Sequence, residues 1–161
     1  MQSQPWWRGT RGEWYVVAQF VLLGLVAVAP WLGREPDWPA PWSWLARAAG
    51  LLLALVGLGL SGLGVLGLGR NLSALPHPKN EAALVETGLY GLMRHPIYSG
   101  LIAGCLGWAL LNNSPLTLAL AVGVFVFFDV KARREERALA ARFPDYERYR
   151  QRVRRFIPFI Y

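Results

Sequence analysis

The chain has 161 residues, which is the length of a single domain, and 54% of those residues are hydrophobic. Its formal net charge is +7, and the single cysteine, Cys105, excludes an intrachain disulfide. Together with a positive mean hydropathy of +0.28, this composition indicates that long stretches of the chain lie in a membrane.

Two long runs without a charged residue dominate the first half of the chain. Twenty such residues separate Glu13 from Arg34, and twenty-two separate Arg47 from Arg70. About 20 apolar residues in a helix are enough to cross the hydrocarbon core of a bilayer, which is ~30 Å thick. We therefore predict membrane helices over residues 14–33 and 48–69.

The first of these runs is also open to interpretation as a secretory signal peptide. Two arginines, Arg8 and Arg11, precede it, and the AVA sequence at 27–29 resembles a cleavage site. The run is nevertheless longer than the ~7–15-residue apolar core of a signal peptide, and Pro30 would directly follow the cut. A retained membrane anchor is therefore favoured.

The second run contains the stretch GLGLSGLGVLGLG, residues 57–69, which twice matches the dinucleotide-binding pattern GxGxxG. That pattern binds pyrophosphate only between a β-strand and a helix, whereas here a Leu-rich part of the same apolar run precedes it. Small residues let neighbouring membrane helices approach closely. We therefore predict helix packing instead of cofactor binding, and we expect Leu at Gly62 or Gly64 to disturb that packing.

The third run extends over residues 96–128 and is interrupted by NNSP at 112–115. The interruption predicts a hairpin of two shorter membrane helices, over 97–111 and 116–130, after a linker that covers 70–96. A helical tail over 131–161 follows the hairpin. The whole sequence thus predicts one domain, an all-α integral membrane protein with about four transmembrane helices.

Lysine and arginine are concentrated in the amino-terminal arm, in the linker and in the tail, which contains ten of them against four acidic residues. Basic residues favour the cytoplasmic side of membrane segments. We therefore expect both termini, the linker and the tail to be cytoplasmic, with the tail lying along anionic lipid headgroups. Binding of nucleic acid is not expected, because a basic patch alone is a weak signal for it.

Side chains that could perform chemistry lie at the two ends of the hairpin. The sequence RHPIY, residues 94–98, begins its first helix, where unpaired N–H groups favour an anionic ligand. The sequence DVKARREE, residues 129–136, ends its second helix. Because the hairpin runs out and back, we expect both clusters at the same membrane face, where cations and His95 would oppose carboxylates. Neither a zinc ligand set nor a Ser or Cys nucleophile motif is recognisable.

Two longer stretches carry a family resemblance: LVETGLYGLMRHPIYSG at 84–100 and, one hairpin later, EERALAARFPDYERYRQRVRRFIPF at 135–159. They resemble the integral-membrane methyltransferases typified by isoprenylcysteine carboxyl methyltransferase, with phosphatidylethanolamine methyltransferases as more distant relatives. The resemblance covers residues 71–159. It implies an S-adenosyl-L-methionine-dependent enzyme that methylates a small or lipophilic acceptor at the membrane, without a Rossmann domain. Methylation of a carboxylate oxygen is favoured, and methylation of nitrogen or sulfur is possible.

The resemblance also implies roles for individual positions. The cofactor contacts that it implies are Ala82, Ala83, Leu84, Val85, Tyr90, His95, Pro96, Ile97, Tyr98 and Glu135. Lys131 stands where the eukaryotic enzymes have an arginine that orients the substrate carboxylate, and Arg133 or Arg134 is available as a substitute. Glu136 is a candidate base for an amine or thiol acceptor, whereas a carboxylate acceptor is already ionised.

Two other functions remain open on the sequence. Membrane oxidoreductases of the sterol-reductase kind, which use NADPH, share an RHPxY-like element but are usually larger. A non-catalytic membrane protein that binds anionic lipid through its basic tail is the second alternative. The expected partners are accordingly membrane lipids and a small-molecule or lipid acceptor.

Overall fold

The computed structural model describes residues 12–33, 38–75 and 83–161. Within these ranges the helices are α1 (Glu13–Leu32), α2 (Trp42–Leu68), α3 (Pro96–Leu111), α4 (Pro115–Arg142) and α5 (Tyr146–Arg152). Single turns of 3₁₀-helix at Gly69–Asn71 and Gly88–Gly91 lie between α2 and α3. The described ranges contain no β-strand, so the all-α fold class is confirmed.

The helix bounds follow the predicted segments, with a longer α2 and with an α4 that continues into the tail, as the sequence predicts. Helix α2 begins at Trp42 rather than at residue 48, because the apolar sequence WSWL at 42–45 extends the helical run back to Pro41. Helix α4 continues without a break to Arg142, so the first part of the predicted tail prolongs the fourth membrane segment. The remainder of the tail forms α5 and a non-helical stretch after it.

Among the described helices, three, α1, α2 and α4, are long and apolar enough to cross a membrane. Helix α3 has 16 residues, or ~24 Å at 1.5 Å per residue, which is less than the ~30 Å hydrocarbon core. It pairs with α4 across a tight turn in which Oγ of Ser114 accepts the backbone N–H of Thr117 at 3.1 Å. Pro115 follows in the first turn of α4, and both features are favoured at a helix start.

The glycine-rich stretch packs α2 against α3, as predicted. A Cβ atom built at Gly57 would lie 2.5 Å from the carbonyl oxygen of Gly100, and one at Gly64 would lie 2.8 Å from Cγ1 of Ile97. The neighbour of Gly57 is backbone, which cannot move aside, so that position requires glycine. A side chain at Gly64 would have to displace the Ile97 side chain and would still lie 3.2 Å from the Ile97 backbone nitrogen. The expectation for Gly62 is wrong: it is exposed, and a Cβ there meets no described atom within 4 Å, because it lies on another side of α2.

After α5 the chain turns back and runs beside the start of α3. The backbone N–H groups of Arg94 and His95 donate to the carbonyl oxygens of Arg154 and Arg155, at 2.8 and 3.0 Å. The side chain of Phe156 is buried in the core formed by α3 and α4. We call residues 153–156 the return segment. Through it, the end of the predicted tail contacts both helices of the hairpin.

Candidate active site

A buried cluster of ion pairs joins α3, α4 and the return segment. At its centre lies Glu136, which is only 4% exposed. Its Oε1 accepts hydrogen bonds from Nη2 of Arg94 at 2.8 Å and from Nε2 of His95 at 3.2 Å. Nε and Nη2 of Arg155 donate to its two oxygens at 3.0 and 2.9 Å. Because a carboxylate only accepts, Nε2 of His95 carries the proton in its bond. These charge-assisted bonds fix the relative positions of three chain segments.

Arg155 extends this cluster along α4 to Asp129. Its Nη1 donates to Oδ1 of Asp129 at 2.6 Å, and the Tyr161 hydroxyl donates to the same oxygen at 2.9 Å. Hydrogen bonds from the Arg155 guanidinium to Glu136 are the main cause of the raised pKa of Arg155. The guanidinium therefore stays charged, and one side chain holds two carboxylates about two helical turns apart.

Glu135, the residue next to the cluster's centre, faces a different environment. It is 27% exposed, and its Oε2 accepts a hydrogen bond from the Tyr98 hydroxyl at 2.8 Å. The Tyr98 ring stacks on the ring of His95, with 5.2 Å between the centroids. Successive residues of an α-helix point ~100° apart, since a turn takes 3.6 residues. One of the two adjacent carboxylates therefore joins the ion pairs, and the other faces a cavity.

This cavity lies between the end of α2, the residues around 83–98, the end of α4 and α5. Its polar and aromatic lining residues are Asn71, Ser73, Tyr90, Arg94, His95, Tyr98, Glu135, Phe143, Tyr146 and Tyr149. Aliphatic side chains from α2, α3, α4 and the stretches at 75 and 83–85 complete the walls. A cavity with mostly apolar walls and a few polar groups is typical of a site for a small molecule.

Two tyrosines in the wall have hydrogen-bond partners and a third does not. The Tyr149 hydroxyl donates to the carbonyl oxygen of Tyr90 at 2.6 Å, and the Tyr90 hydroxyl donates to that of Gly64 at 3.2 Å. The Tyr146 hydroxyl is buried and has no partner among the described residues. Burial raises the pKa of Tyr146, so its hydroxyl stays protonated and can both donate and accept. A buried polar atom without a partner in a cavity wall is a candidate ligand contact.

Lys131 lies beside the cavity without lining it. It is 1% exposed, and its ammonium group donates to Oε1 of Gln19 on α1 and to the carbonyl oxygen of Ala74. The same group lies 5.2 Å from the centroid of the Tyr98 ring, a distance suited to a cation–π contact. Lys131, the residue predicted to orient the substrate carboxylate, is thus separated from the cavity by the Tyr98 side chain.

The structure brings most of the predicted cofactor residues into this one cavity. Eight of them line it: Ala83, Leu84, Val85, Tyr90, His95, Ile97, Tyr98 and Glu135. Pro96 instead begins α3 and lies against α2 near Gly64, and Ala82 lies outside the described residues. Neither catalytic candidate, Lys131 or Glu136, is in the lining. Because both oxygens of Glu136 are bonded to cations, its geometry favours an anchoring role over the predicted role of base.

Sequence reasoning did not assign the cavity residues Tyr146 and Tyr149, or Arg155 of the ion-pair cluster. The spacing of three between the tyrosines is a usable signal, because residues three apart share a face of a helix. Arg155 has no comparable signal, since it is one of ten basic residues in the tail. Only the fold distinguishes it from the others.

The fold and the site together define the class: an all-helical integral membrane protein with a cavity beside the start of α3 and the end of α4. The model of the phospholipid methyltransferase family matches residues 45–145. This match extends over more than half of the chain. The chain therefore belongs to the phospholipid methyltransferase family.

Individual relatives agree with this assignment. A probable protein-S-isoprenylcysteine O-methyltransferase of Oryza sativa subsp. indica is 32% identical over 73% of this chain and 63% of its own length. The cobalt-zinc-cadmium resistance protein CzcN of Cupriavidus metallidurans is 32% identical over 91% of this chain and 62% of its own length. The chain thus spans somewhat under two thirds of these two relatives.

Within the described ranges of this chain, no group of three or more His, Cys, Asp and Glu side chains could hold a metal ion.

A solved structure supports the same family. The eukaryotic intramembrane Ras methyltransferase, isoprenylcysteine carboxyl methyltransferase, is similar with a TM-score of 0.66 and 25% sequence identity. The similarity covers 99% of this chain and 55% of that one. The resemblance read from the two sequence stretches is thereby confirmed.

Proposed function

We propose that this protein is a membrane methyltransferase that uses S-adenosyl-L-methionine. The observation that carries the proposal is the single cavity lined by eight residues that the family resemblance assigns to the cofactor. Those residues come from the stretch before α3, from α3 itself and from α4, so only the folded hairpin collects them. The relatives named as O-methyltransferases support the same reaction type.

The side chains of the cavity suit this cofactor, which has two ribose hydroxyls, an adenine ring and an amino-acid end. Glu135 is a partly exposed carboxylate that would accept hydrogen bonds from hydroxyl or ammonium groups. The Tyr146 hydroxyl is available to a polar ligand atom, because it has no partner among the described residues. Oδ1 of Asn71 accepts the N–H of Ala83 at 3.0 Å, which leaves the Asn71 amino group as a donor. Aromatic side chains in the walls offer surfaces for a planar base.

When bound, the cofactor supplies a methyl group on a positively charged sulfonium sulfur. The protein's own contribution is to align the acceptor and to exclude water. We assign the placement of an acceptor carboxylate to Lys131, whose ammonium group lies next to the cavity-lining Tyr98 and would exchange its bond to Gln19 or Ala74 for one to the acceptor. A carboxylate is ionised at neutral pH and needs no base. This acceptor class therefore agrees with the commitment of Glu136 to ion pairs.

The acceptor in this proposal is lipophilic and reaches the site from the bilayer, while the soluble cofactor arrives from the cytoplasm. The cavity lies where apolar helices end and a strongly basic stretch begins, and basic residues favour the cytoplasmic side. Both termini are then cytoplasmic as well. Methylation of a water-soluble acceptor in the absence of lipid or detergent would count against this entry route.

The decisive test is transfer of radiolabelled methyl from S-adenosyl-L-methionine into a total lipid and small-molecule extract by the purified protein. We expect label in a lipophilic acceptor, whose identification fixes the atom that is methylated. Parallel titrations with S-adenosylhomocysteine and NADPH separate the methyltransferase from the reductase alternative. Binding of NADPH without binding of S-adenosylhomocysteine would overturn the proposal.

A Glu135→Gln substitution is expected to weaken binding of S-adenosylhomocysteine by ~10-fold to 100-fold. It removes the charge from a hydrogen bond worth ~1.5–3 kcal/mol while keeping the shape of the side chain. Calorimetric titration in detergent provides the measurement. The matched control is Glu147→Gln on α5, which removes an exposed carboxylate paired with Arg150 three residues on. If both variants bind like the parent protein, Glu135 has no role in binding.

A Tyr146→Phe substitution is expected to weaken the same binding by ~2-fold to 10-fold, the worth of one neutral hydrogen bond. It should leave thermal stability unchanged or slightly raised, because the lost hydroxyl is buried without a partner among the described residues. Tyr149→Phe should instead lower thermal stability and leave binding affinity nearly unchanged, because the hydroxyl that it removes donates to the carbonyl oxygen of Tyr90. A loss of stability without loss of affinity in Tyr146→Phe would contradict the assignment.

A further inference from the structure

The residues after the return segment, 157–161, form a turn that we call the apolar tip. Four of its side chains are exposed, Ile157 by 47%, Phe159 by 85%, Ile160 by 76% and Tyr161 by 39%. The exposed residues immediately before it, Arg152 and Arg154, are cationic. The exposed side chains thus change from arginine to large apolar groups within a few residues. A change of this kind is typical of a chain that passes from the headgroup layer into hydrocarbon.

The apolar tip packs beside the membrane-spanning part of α4. The ring of Tyr161 lies 6.1 Å from the ring of Phe125, and the ring of Phe156 lies 6.0 Å from it. The Tyr161 hydroxyl reaches Asp129, which lies one turn or ~6 Å further along α4 than Phe125. Phe125 belongs to the uncharged run 96–128. The apolar tip therefore lies beside the uncharged part of α4, beyond the ion pair between Asp129 and Arg155.

The backbone of the tip is suited to lipid. The N–H groups of Phe156 and Ile157 donate to the carbonyl oxygen of Tyr161 at 2.7 and 2.8 Å. The N–H groups of Ile160 and Tyr161 donate to the carbonyl oxygen of Ile157 at 3.1 Å. Pro158 has no N–H to satisfy. Non-helical backbone at membrane depth has to find its hydrogen bonds within the protein, and the N–H groups of this turn other than that of Phe159 do so.

We propose that the apolar tip is inserted among the lipid acyl chains beside α4, while the arginines before it remain in the headgroup layer. Lipid is the expected occupant because the tip adjoins the membrane surface of α4, where Val122 and Val126 are also about half exposed. The arginines of the tail thus stay on the predicted cytoplasmic side, while residues 157–161 dip into the adjoining acyl-chain layer. This inference concerns membrane contact alone, and it holds whether or not the protein transfers methyl groups.

Cysteine labelling tests the depth of the tip. Cys105 is the single cysteine and is buried, so a Cys105→Ala background leaves no other thiol. Phe159→Cys is compared with Gln151→Cys, an exposed position at the end of α5. Both proteins are reconstituted in phosphatidylcholine vesicles and treated with a membrane-impermeant maleimide. We expect the thiol at 159 to react at least ~10-fold more slowly, because the acyl chains exclude the reagent and disfavour the reactive thiolate. The two rates should become equal in sodium dodecyl sulfate.

Equal rates in vesicles would overturn the proposal, because they would place position 159 in water. A second measurement distinguishes lipid from a covering protein or a second copy of the chain. A fluorophore is attached to the thiol at 159 in detergent, and the protein is then reconstituted with brominated lipids. Loss of emission relative to unbrominated vesicles supports insertion. Slow labelling without quenching means that protein covers the tip, and this outcome also overturns the proposal.

Discussion

A Glu136→Ala variant is expected to lose ~3–5 kcal/mol of stability, which is a large fraction of the ~5–15 kcal/mol typical of a folded domain. The substitution leaves Arg94, His95 and Arg155 without the acceptor that they share, and the Arg94 and His95 side chains are less than one tenth exposed. Uncompensated cations in such a place are strongly destabilising. The yield of monodisperse protein and its melting temperature in detergent measure the loss.

Glu135→Ala is the matched control for this prediction, because it removes the adjacent carboxylate from the same helix. Glu135 is partly exposed and accepts one hydrogen bond, from Tyr98. We expect this variant to fold with nearly the parent melting temperature and to lose cofactor affinity. Equal melting temperatures for the two variants would show that the ion-pair cluster is not the anchor of the site.

A Gly57→Leu variant is expected to fail to assemble the pair of helices α2 and α3. The added Cβ would lie 2.5 Å from the carbonyl oxygen of Gly100 and 2.6 Å from the backbone nitrogen of Gly104. Backbone atoms cannot move aside as a flexible side chain can, so the whole helix would have to shift. Overpacking of a core typically costs ~1–3 kcal/mol, and a clash with backbone belongs at or above the upper end. Expression level and elution as a single species in detergent measure the outcome.

Gly59→Leu tests whether this effect is specific to the contact face. Gly59 lies two residues further along α2, and a Cβ there meets no described atom within 4 Å. The variant adds the same side chain to the same helix and should behave like the parent protein. If Gly57→Leu is equally well tolerated, then close packing of α2 on α3 is not what the glycines provide.

The parts of this fold that could be predicted are those that depend on local pattern. Uncharged runs gave the membrane helices, because their length alone matches the bilayer. The turn at 112–115 gave the hairpin, and the hairpin in turn implied that residues 94–98 and 129–136 meet. The bonds from His95 to Glu136 and from Tyr98 to Glu135 confirm that meeting.

The roles of adjacent side chains could not be predicted, because they depend on the rotation of α4 and on distant partners. The sequence does not reveal which of Glu135 and Glu136 faces the cavity. Arg155 distinguishes the two carboxylates, since it donates hydrogen bonds to both oxygens of Glu136. Lys131 bonds to Gln19, which lies 112 residues earlier on a helix without a family signature. Contacts of this range leave no trace in the spacing of a single sequence.

The return segment also determines when the site can form during synthesis. Glu136 and its hairpin emerge from the ribosome before Arg155, and domains begin to fold as they emerge. Until then the carboxylate has only Arg94 and His95 as hydrogen-bond donors among these partners, and the backbone N–H groups of those two residues lack their acceptors. Completion of the cavity is therefore a late event in biogenesis. A chain interrupted before residue 153 should insert its helices in the membrane yet leave the cavity unassembled.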